Sequence, residues 1–217
     1  MTSPGVARIG VRAGQVAEEL DTVDRAVYQT IGATRTPLLD VAMARLSNAA
    51  NYGRLWLGCA VVVATVGGRR GRRAALLGVA SLAVSSAVSN VIAKPLFSRG
   101  RPERDAATVN DDRWVRMPTS PSLPSGHSAS AFAFATAVGS QVPSLSIPLG
   151  VLAAAVAYSR VHTGVHYPAD TLAGSVIGAS AAQVVCRLVG ERRHGLTVRP
   201  PSTEISRRRA RPASRRP

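Results

Sequence analysis

Three short clusters in this 217-residue chain carry side chains suited to handling an anion. They are Lys94 with Arg101-Pro102, then Pro124-Ser125-Gly126-His127, then Ser159-Arg160 followed by His166 and Asp170. Lys94, Arg101 and Arg160 would repel one another if gathered at one place unless an anion lay between them, and a phosphate is the obvious anion. In the second cluster, Pro and Ser are typical of a helix start, where free backbone N–H groups and the helix dipole attract negative charge. Gly126 permits close approach there. Ser125 adds a hydroxyl, and His127 on the first turn is placed to hand a proton to a leaving oxygen. In the third cluster His166 and Asp170 are four apart, with Pro168 suited to a first helical turn. A carboxylate on one ring nitrogen would fix the tautomer and steady the imidazolium, leaving the other nitrogen free to attack phosphorus.

Each cluster alone has a plainer reading. Lys94 and Arg101 would serve as anchors at the end of a membrane span, and Pro124-Ser125 as an ordinary helix start with His127 half-buried beside it. Two features of composition weigh against these. The 27 basic residues are 26 arginines and one lysine, Lys94, so a Lys is kept where the drift of the whole sequence favours Arg. Asp170 is the one acid between Asp112 and Glu191, and a carboxylate at the end of an apolar segment is costly without a task. His162 fits equally a site-lining residue and a loop histidine. Arg99 and Arg104 either meet an anionic headgroup or solvate the loop.

The elements that must hold these clusters are long and nearly free of charge. Charged residues make up 18% of the chain against 46% hydrophobic, below the roughly 25% charged of soluble domains. Ala74 to Ala93 is twenty residues without a charge, enough for a helix of about 30 Å, the thickness of a bilayer core. Leu55 to Gly68 is apolar and extends back to Leu46 if Arg54 sits at an interface. Met117 to Ser159 lacks Asp, Glu, Lys and Arg, and Ser140 to Ser144 reads as a turn joining two helices. Thr171 to Gly190 is interrupted by Arg187 alone. The expected fold is therefore all-α: an integral membrane bundle of about five transmembrane helices. Ser81, Ser85 and Ser89, and the pair Gly174 and Gly178, have the spacing that lets helices approach closely. A soluble bundle of short Ala- and Ser-rich helices is the competing architecture.

Arg69, Arg70, Arg72 and Arg73 lie between the first two spans, and the positive-inside bias puts them in the cytoplasm. Alternate crossings then carry all three clusters to the outer face, so the expected location is a cell membrane with the site on its extracytoplasmic side. Residues 1–50 form a separate region in which Val16, Leu20, Val23, Val27 and Ile31 recur at near-helical spacing. This amphipathic helix either caps the bundle or lies on the outer surface. Residues 51–190 would be the membrane-embedded unit. Residues 191–217 hold nine Arg and four Pro, an expected disordered cytoplasmic tail suited to anionic headgroups. No aromatic residue interleaves its arginines to stack on bases, so nucleic acid is not the expected partner despite the net charge of +15. Cys59 and Cys186 lie in apolar stretches without metal-ligand spacing.

The residues resemble a known family at three places. Lys94 to Pro102 fits KxxxxxxRP, Pro124 to His127 fits PSGH, and Ser159 to Asp170 fits SRxxxxxHxxxD. These are the signatures of the type 2 phosphatidic acid phosphatase and vanadium haloperoxidase superfamily, with no signature position departing from the pattern. The resemblance covers about residues 50 to 190. It implies a phosphohistidine mechanism with His166 as nucleophile, Asp170 orienting it and His127 as general acid. Lys94, Arg101, Ser125, Gly126 and Arg160 would hold phosphate oxygens.

The function expected is removal of a terminal phosphate from a membrane lipid: phosphatidate, phosphatidylglycerol phosphate or a polyprenyl phosphate or diphosphate. No cofactor and no metal are expected, since the motif region offers one carboxylate besides its histidines. A vanadate-dependent haloperoxidase is the enzymatic alternative, and a non-catalytic protein that binds anionic lipid is the other. Neither the oligomeric state nor the particular lipid is written in these residues.

Overall fold

The computed structural model describes residues 4–97, 99–104 and 111–195, and within them every regular element is helical. The Arg- and Pro-rich stretch from 196 onward lies outside the described residues, while residues 191–195 continue the last helix.

Helix α1 (Pro4–Ala33) is followed by α2 (Pro37–Ala49), whose first position is a proline that loses no hydrogen bond there. Between α2 and α3 (Arg54–Val66) the chain breaks at Asn51–Gly53, where Tyr52 and Gly53 have φ of 57° and 72°. The left-handed pair bends the two helices by 63°. The expected straight run from Leu46 to Gly68 is thus two helices, and the break sets Asn51 and Tyr52 beside the site. Gly68, with φ of 56°, makes the turn into α4 (Gly68–Ala87). The arginines expected to form a link therefore occupy the first turns of α4 itself.

Helix α4 runs on through a π-helical turn, Val88–Ala93, into the short α5 (Lys94–Leu96). In an α-helix, residues four apart drift by about 40° around the axis. The wider i→i+5 turn rotates less per residue and takes that drift back. As a result Leu82, Ser86, Asn90 and Lys94 line one cleft. Ser81, Ser85 and Ser89 form a fully buried stripe, and α4 packs against both α6 and α8.

Helix α6 (Gly126–Gln141) is the centre of the bundle, packed on α4, α7 (Ser146–His162) and α8 (Pro168–Gly195). Its composition explains its place, because Ala129, Ala131, Ala133, Phe134, Ala137 and Val138 are buried on all sides of the helix. Phe134 meets Trp56 of α3 with ring centroids 5.4 Å apart. A Cβ on Gly174 would lie 2.3 Å from the carbonyl oxygen of Ser125, and one on Gly178 2.1 Å from that of Ala129. The expected small-residue pair is thus a backbone-to-backbone contact between α8 and α6.

Three helices among the described residues are long and apolar enough to cross a membrane: Gly68–Leu96, Pro143–His162 and Pro168–Glu191. The bent pair Pro37–Ala49 with Asn51–Val66 makes a fourth if counted as one span. Five were expected. The difference is α6, whose 16 residues reach roughly 24 Å and which is sheathed by its neighbours.

Helix α1 contacts α7 and α8, and the face it turns to them is not its aliphatic one. Its polar side docks, burying Asp24 and Tyr28, while Val16, Leu20, Val23 and Val27 stay exposed. The reason is electrostatic: the partners it meets are Arg99 and a free N–H at the start of α8.

Candidate active site

The C-terminal end of the α4–α5 run, the start of α6, the end of α7 and the start of α8 all converge at one end of the bundle. A cleft of about 520 Å³ opens there, lined by Lys94, Arg101, Gly126, His127 and His166 together with Asn90 and Tyr52. The three sequence clusters are therefore brought together. The arginine-bearing start of α4 lies at the opposite end.

His166 sits in the turn between α7 and α8, almost fully buried. Its Nδ1 lies 3.4 Å from Asp170 Oδ2 and 3.3 Å from Ser122 Oγ, while Nε2 lies 3.3 Å from Arg101 Nη1. Acceptors under Nδ1 favour the tautomer with its proton there, which leaves the Nε2 lone pair on the cleft side. Asp170 is completely buried and well supplied with donors: the Tyr167 backbone N–H at 2.9 Å, the Ser122 hydroxyl and Arg99 Nη1 at 3.0 Å. Pro168 starts α8, so Asp170 falls in its first turn, where a carboxylate is favoured by the dipole.

Arg101 is fixed by its neighbours. It donates to the backbone oxygens of Ser120 at 2.8 Å and Val165 at 2.7 Å. Burial pulls its guanidinium down to about 10, which still leaves it charged at neutral pH. Lys94 Nζ donates to Ser120 Oγ at 2.9 Å, so one serine ties both basic residues of the first cluster. Arg160 is buried in α7, donating to Ser47 Oγ through Nη1 while its Nε meets no acceptor among the described residues. A cation so placed, with a donor unspent, suits an anion.

Ser125 caps α6, accepting from Ser128 N at 3.4 Å and from the Ser128 hydroxyl at 3.1 Å. It is fully buried beneath the cleft, with its own proton still available to donate. Its backbone N–H donates to the Asp170 carbonyl at 2.9 Å, stitching α6 to α8. His127 Nε2 lies 2.9 Å from Asn51 Oδ1.

Sequence reasoning missed Ser120, Ser122 and Asn51, whose residue types are unremarkable in a serine- and proline-rich loop and a helix break. It also left His162 and Arg99 open. His162 bonds Asp40 Oδ1 at 2.9 Å and contacts Tyr158, part of a buried knot in which Arg113 also meets Asp40 at 2.8 Å. It supports the loop and does not line the cleft. Arg99 neither greets the cleft nor solvates a loop, since it binds Asp170 from behind. Arg104 donates to the backbone oxygens of Gly164 and Val115.

Burial lowers the His166 ring to about 4, with Asp170 pulling the other way and Arg101 and Arg160 reinforcing the drop. The ring is thus neutral through the physiological range. Between its ordinary value near 6.5 and about 4 the unfolded chain holds a proton that the folded chain does not. Acidification through that window therefore weakens the fold. Two results are expected: an acid limb of kcat/KM near pH 4, after correction for the substrate phosphate's own ionisation, and a Tm that falls as pH drops from about 6.5. A limb near pH 6.5 that belongs to the enzyme would show the ring to be solvated.

Among the described residues no group of His, Cys, Asp and Glu is arranged to hold a metal ion.

Comparison with known proteins gives the family. Residues 74–194 match the model of the PAP2 superfamily. Decaprenylphosphoryl-5-phosphoribose phosphatase of Mycobacterium tuberculosis is 36% identical over 137 residues, covering 63% of this chain and 73% of that protein. A transmembrane PAP2 type phosphatidylglycerolphosphate phosphatase from Bacillus subtilis superposes with a TM-score of 0.63 at 22% identity, covering 80% of this chain and 87% of that one. Aquifex aeolicus LpxE gives a TM-score of 0.60, also at 22% identity, with coverage of 75% and 93%. With the family model spanning all three basic and histidine clusters, the chain belongs to the PAP2 superfamily and is a phosphoric ester hydrolase of the lipid phosphatase type.

Proposed function

We propose that this protein removes the terminal phosphate of a membrane lipid phosphate through a phosphohistidine on His166, at the extracytoplasmic face. The observation that carries the reading is the ring of His166, backed by Asp170 on Nδ1 and facing Arg101 and the cleft with Nε2.

In the first step the Nε2 lone pair forms a bond to phosphorus as the bond to the lipid oxygen breaks. His127, protonated on both ring nitrogens in the complex with the anionic headgroup although burial and the nearby cations lower its pKa in the free protein, hands one proton to that oxygen, and the lipid alcohol or lipid phosphate leaves. In the second step a water attacks phosphorus, the P–N bond breaks, and His127 takes the water's proton back. Inorganic phosphate departs. Lys94, Arg101, Arg160 and the N–H groups at the start of α6 stabilise the charge on the phosphoryl oxygens throughout.

The wall of Leu82, Ser86 and Asn90 leads from the phosphate end of the cleft along α4, a path for a lipid tail. The name of the M. tuberculosis relative favours polyprenyl-linked phosphates within the lipid class. Phosphatidate, phosphatidylglycerol phosphate and polyprenyl phosphates and diphosphates are the panel to test on detergent-purified protein. Release is expected to persist in excess EDTA, since cations of the chain do the work a metal would do. Activity lost in EDTA and restored by magnesium would overturn the metal-free mechanism.

A further inference from the structure

Two acids of α1, Asp21 and Asp24, meet one arginine at the catalytic end of the bundle. Arg99 Nη1 donates to Asp170 Oδ1 at 3.0 Å, while its Nη2 lies 2.7 Å from both Asp21 Oδ1 and Asp24 Oδ2. The guanidinium stacks over the ring of Tyr167, 4.3 Å from its centroid, which fixes its plane. Asp24 uses its other oxygen to accept the Ala169 backbone N–H at 2.8 Å, capping α8 from another helix one residue before Asp170.

We propose that Arg99, Asp21 and Asp24 form a positioning relay in which the α1 acids share the charge of Arg99, so that Asp170 is held in place without being neutralised. The inference rests on His166 being the nucleophile.

The charges decide the point. An Arg99 paired with Asp170 alone would cancel the carboxylate that the imidazolium needs behind it. With Asp21 and Asp24 on the same guanidinium, one positive charge is divided among three negative ones, and the cluster beneath His166 stays anionic. Arg25, which binds Asp21 at 2.6 Å, is far more exposed than Arg99 and offsets less. Burial works against the charge on Arg99, yet Asp24, Asp170 and Asp21 together hold its pKa above the ordinary arginine value. The other charged or titratable groups acting on the His166 ring are Arg101, Arg160 and His127, and none of them belongs to the relay.

The relay predicts opposite shifts from two variants. In Asp21→Asn/Asp24→Asn each side chain keeps one accepting oxygen, enough at position 24 to cap the Ala169 N–H, while its NH₂ group turns a donor toward Arg99 and leaves that guanidinium to Asp170. kcat should fall about tenfold with KM within about twofold, and the acid limb of kcat/KM should move below the wild-type limb. In Arg99→Gln the carboxylate is unshielded and the limb should move above it. Adding Arg99→Gln to the double variant should return part of the lost kcat. The ring ¹⁵N shifts of His166, followed with pH in micelles, give the same reading without turnover, and Arg99→Gln alone carries the test if the double variant does not fold. Limbs and ring titrations that stay at the wild-type position, or that move in the same direction in both variants, would overturn the relay and leave α1 a packing element. His166→Ala is run alongside. Activity surviving in it would refute the nucleophile assignment itself, a failure separate from that of the relay.

Discussion

Replacing His166 by alanine is expected to lower phosphate release by about 10⁴-fold or more, because the other histidine lining the cleft, His127, is backed by an amide and not by a carboxylate. The remaining cations would still bind the headgroup, so KM for a lipid phosphate should change far less than kcat. The ring is buried among Arg101, Arg160 and Asp170, and its removal leaves a hole at the surface of the cleft without exposing the bundle core. The measurement is single-turnover reaction with ³²P-labelled lipid, quenched in alkali, where a phosphohistidine survives and a phosphoserine is eliminated. Label on the wild-type protein and none on His166→Ala is the expected result. Equal turnover in the two proteins would end the mechanism.

Asp170→Asn is the second large effect, on the order of 10³- to 10⁴-fold in kcat, since the shape persists and the charge does not. An amide can keep its oxygen under the Tyr167 N–H and the Ser122 hydroxyl. Its NH₂ group would then face Arg99 Nη1, donor against donor, 3.0 Å away in the native pair. Arg99 has Asp21 and Asp24 to fall back on, so the variant should fold with a Tm close to that of the parent. The lost function is the electrostatic hold on the imidazolium that forms as phosphorus is attacked. A kcat within tenfold of wild type would show that Ser122 alone suffices to orient the ring.

The parts of this site that sequence made legible are those in which the residue type is itself the chemistry. A lone lysine among arginines, a Pro-Ser-Gly-His helix start, and a histidine four residues before an isolated acid each need only local spacing to be read. The parts that stayed hidden depend on segments distant along the chain. Asn51 meets His127 across 76 residues and Arg99 meets Asp21 across 78, and nothing in the local pattern around either residue announces its partner. Asn51-Tyr52-Gly53 carried a turn signal that a long apolar stretch concealed. Helix periodicity correctly marked the N-terminal region as helical, but period alone cannot say which face docks. There Asp21 and Asp24 meet Arg99 and Asp24 also accepts the Ala169 N–H, while four aliphatic side chains stay exposed. The count of spans is less legible for a related reason, since a charge-free stretch marks burial and does not distinguish lipid from the flanks of neighbouring helices.

Gly174 and Gly178 never meet the substrate, yet they fix how near α8 comes to α6. One helix carries Asp170 and the other His127, so under the proposed mechanism the interval between the two halves of the reaction is gauged by the absence of two methyl groups. Such a gauge cannot be adjusted gradually. The smallest possible side chain overshoots it, and no larger one fits. The chain is then least free to take a side chain along one narrow seam of backbone.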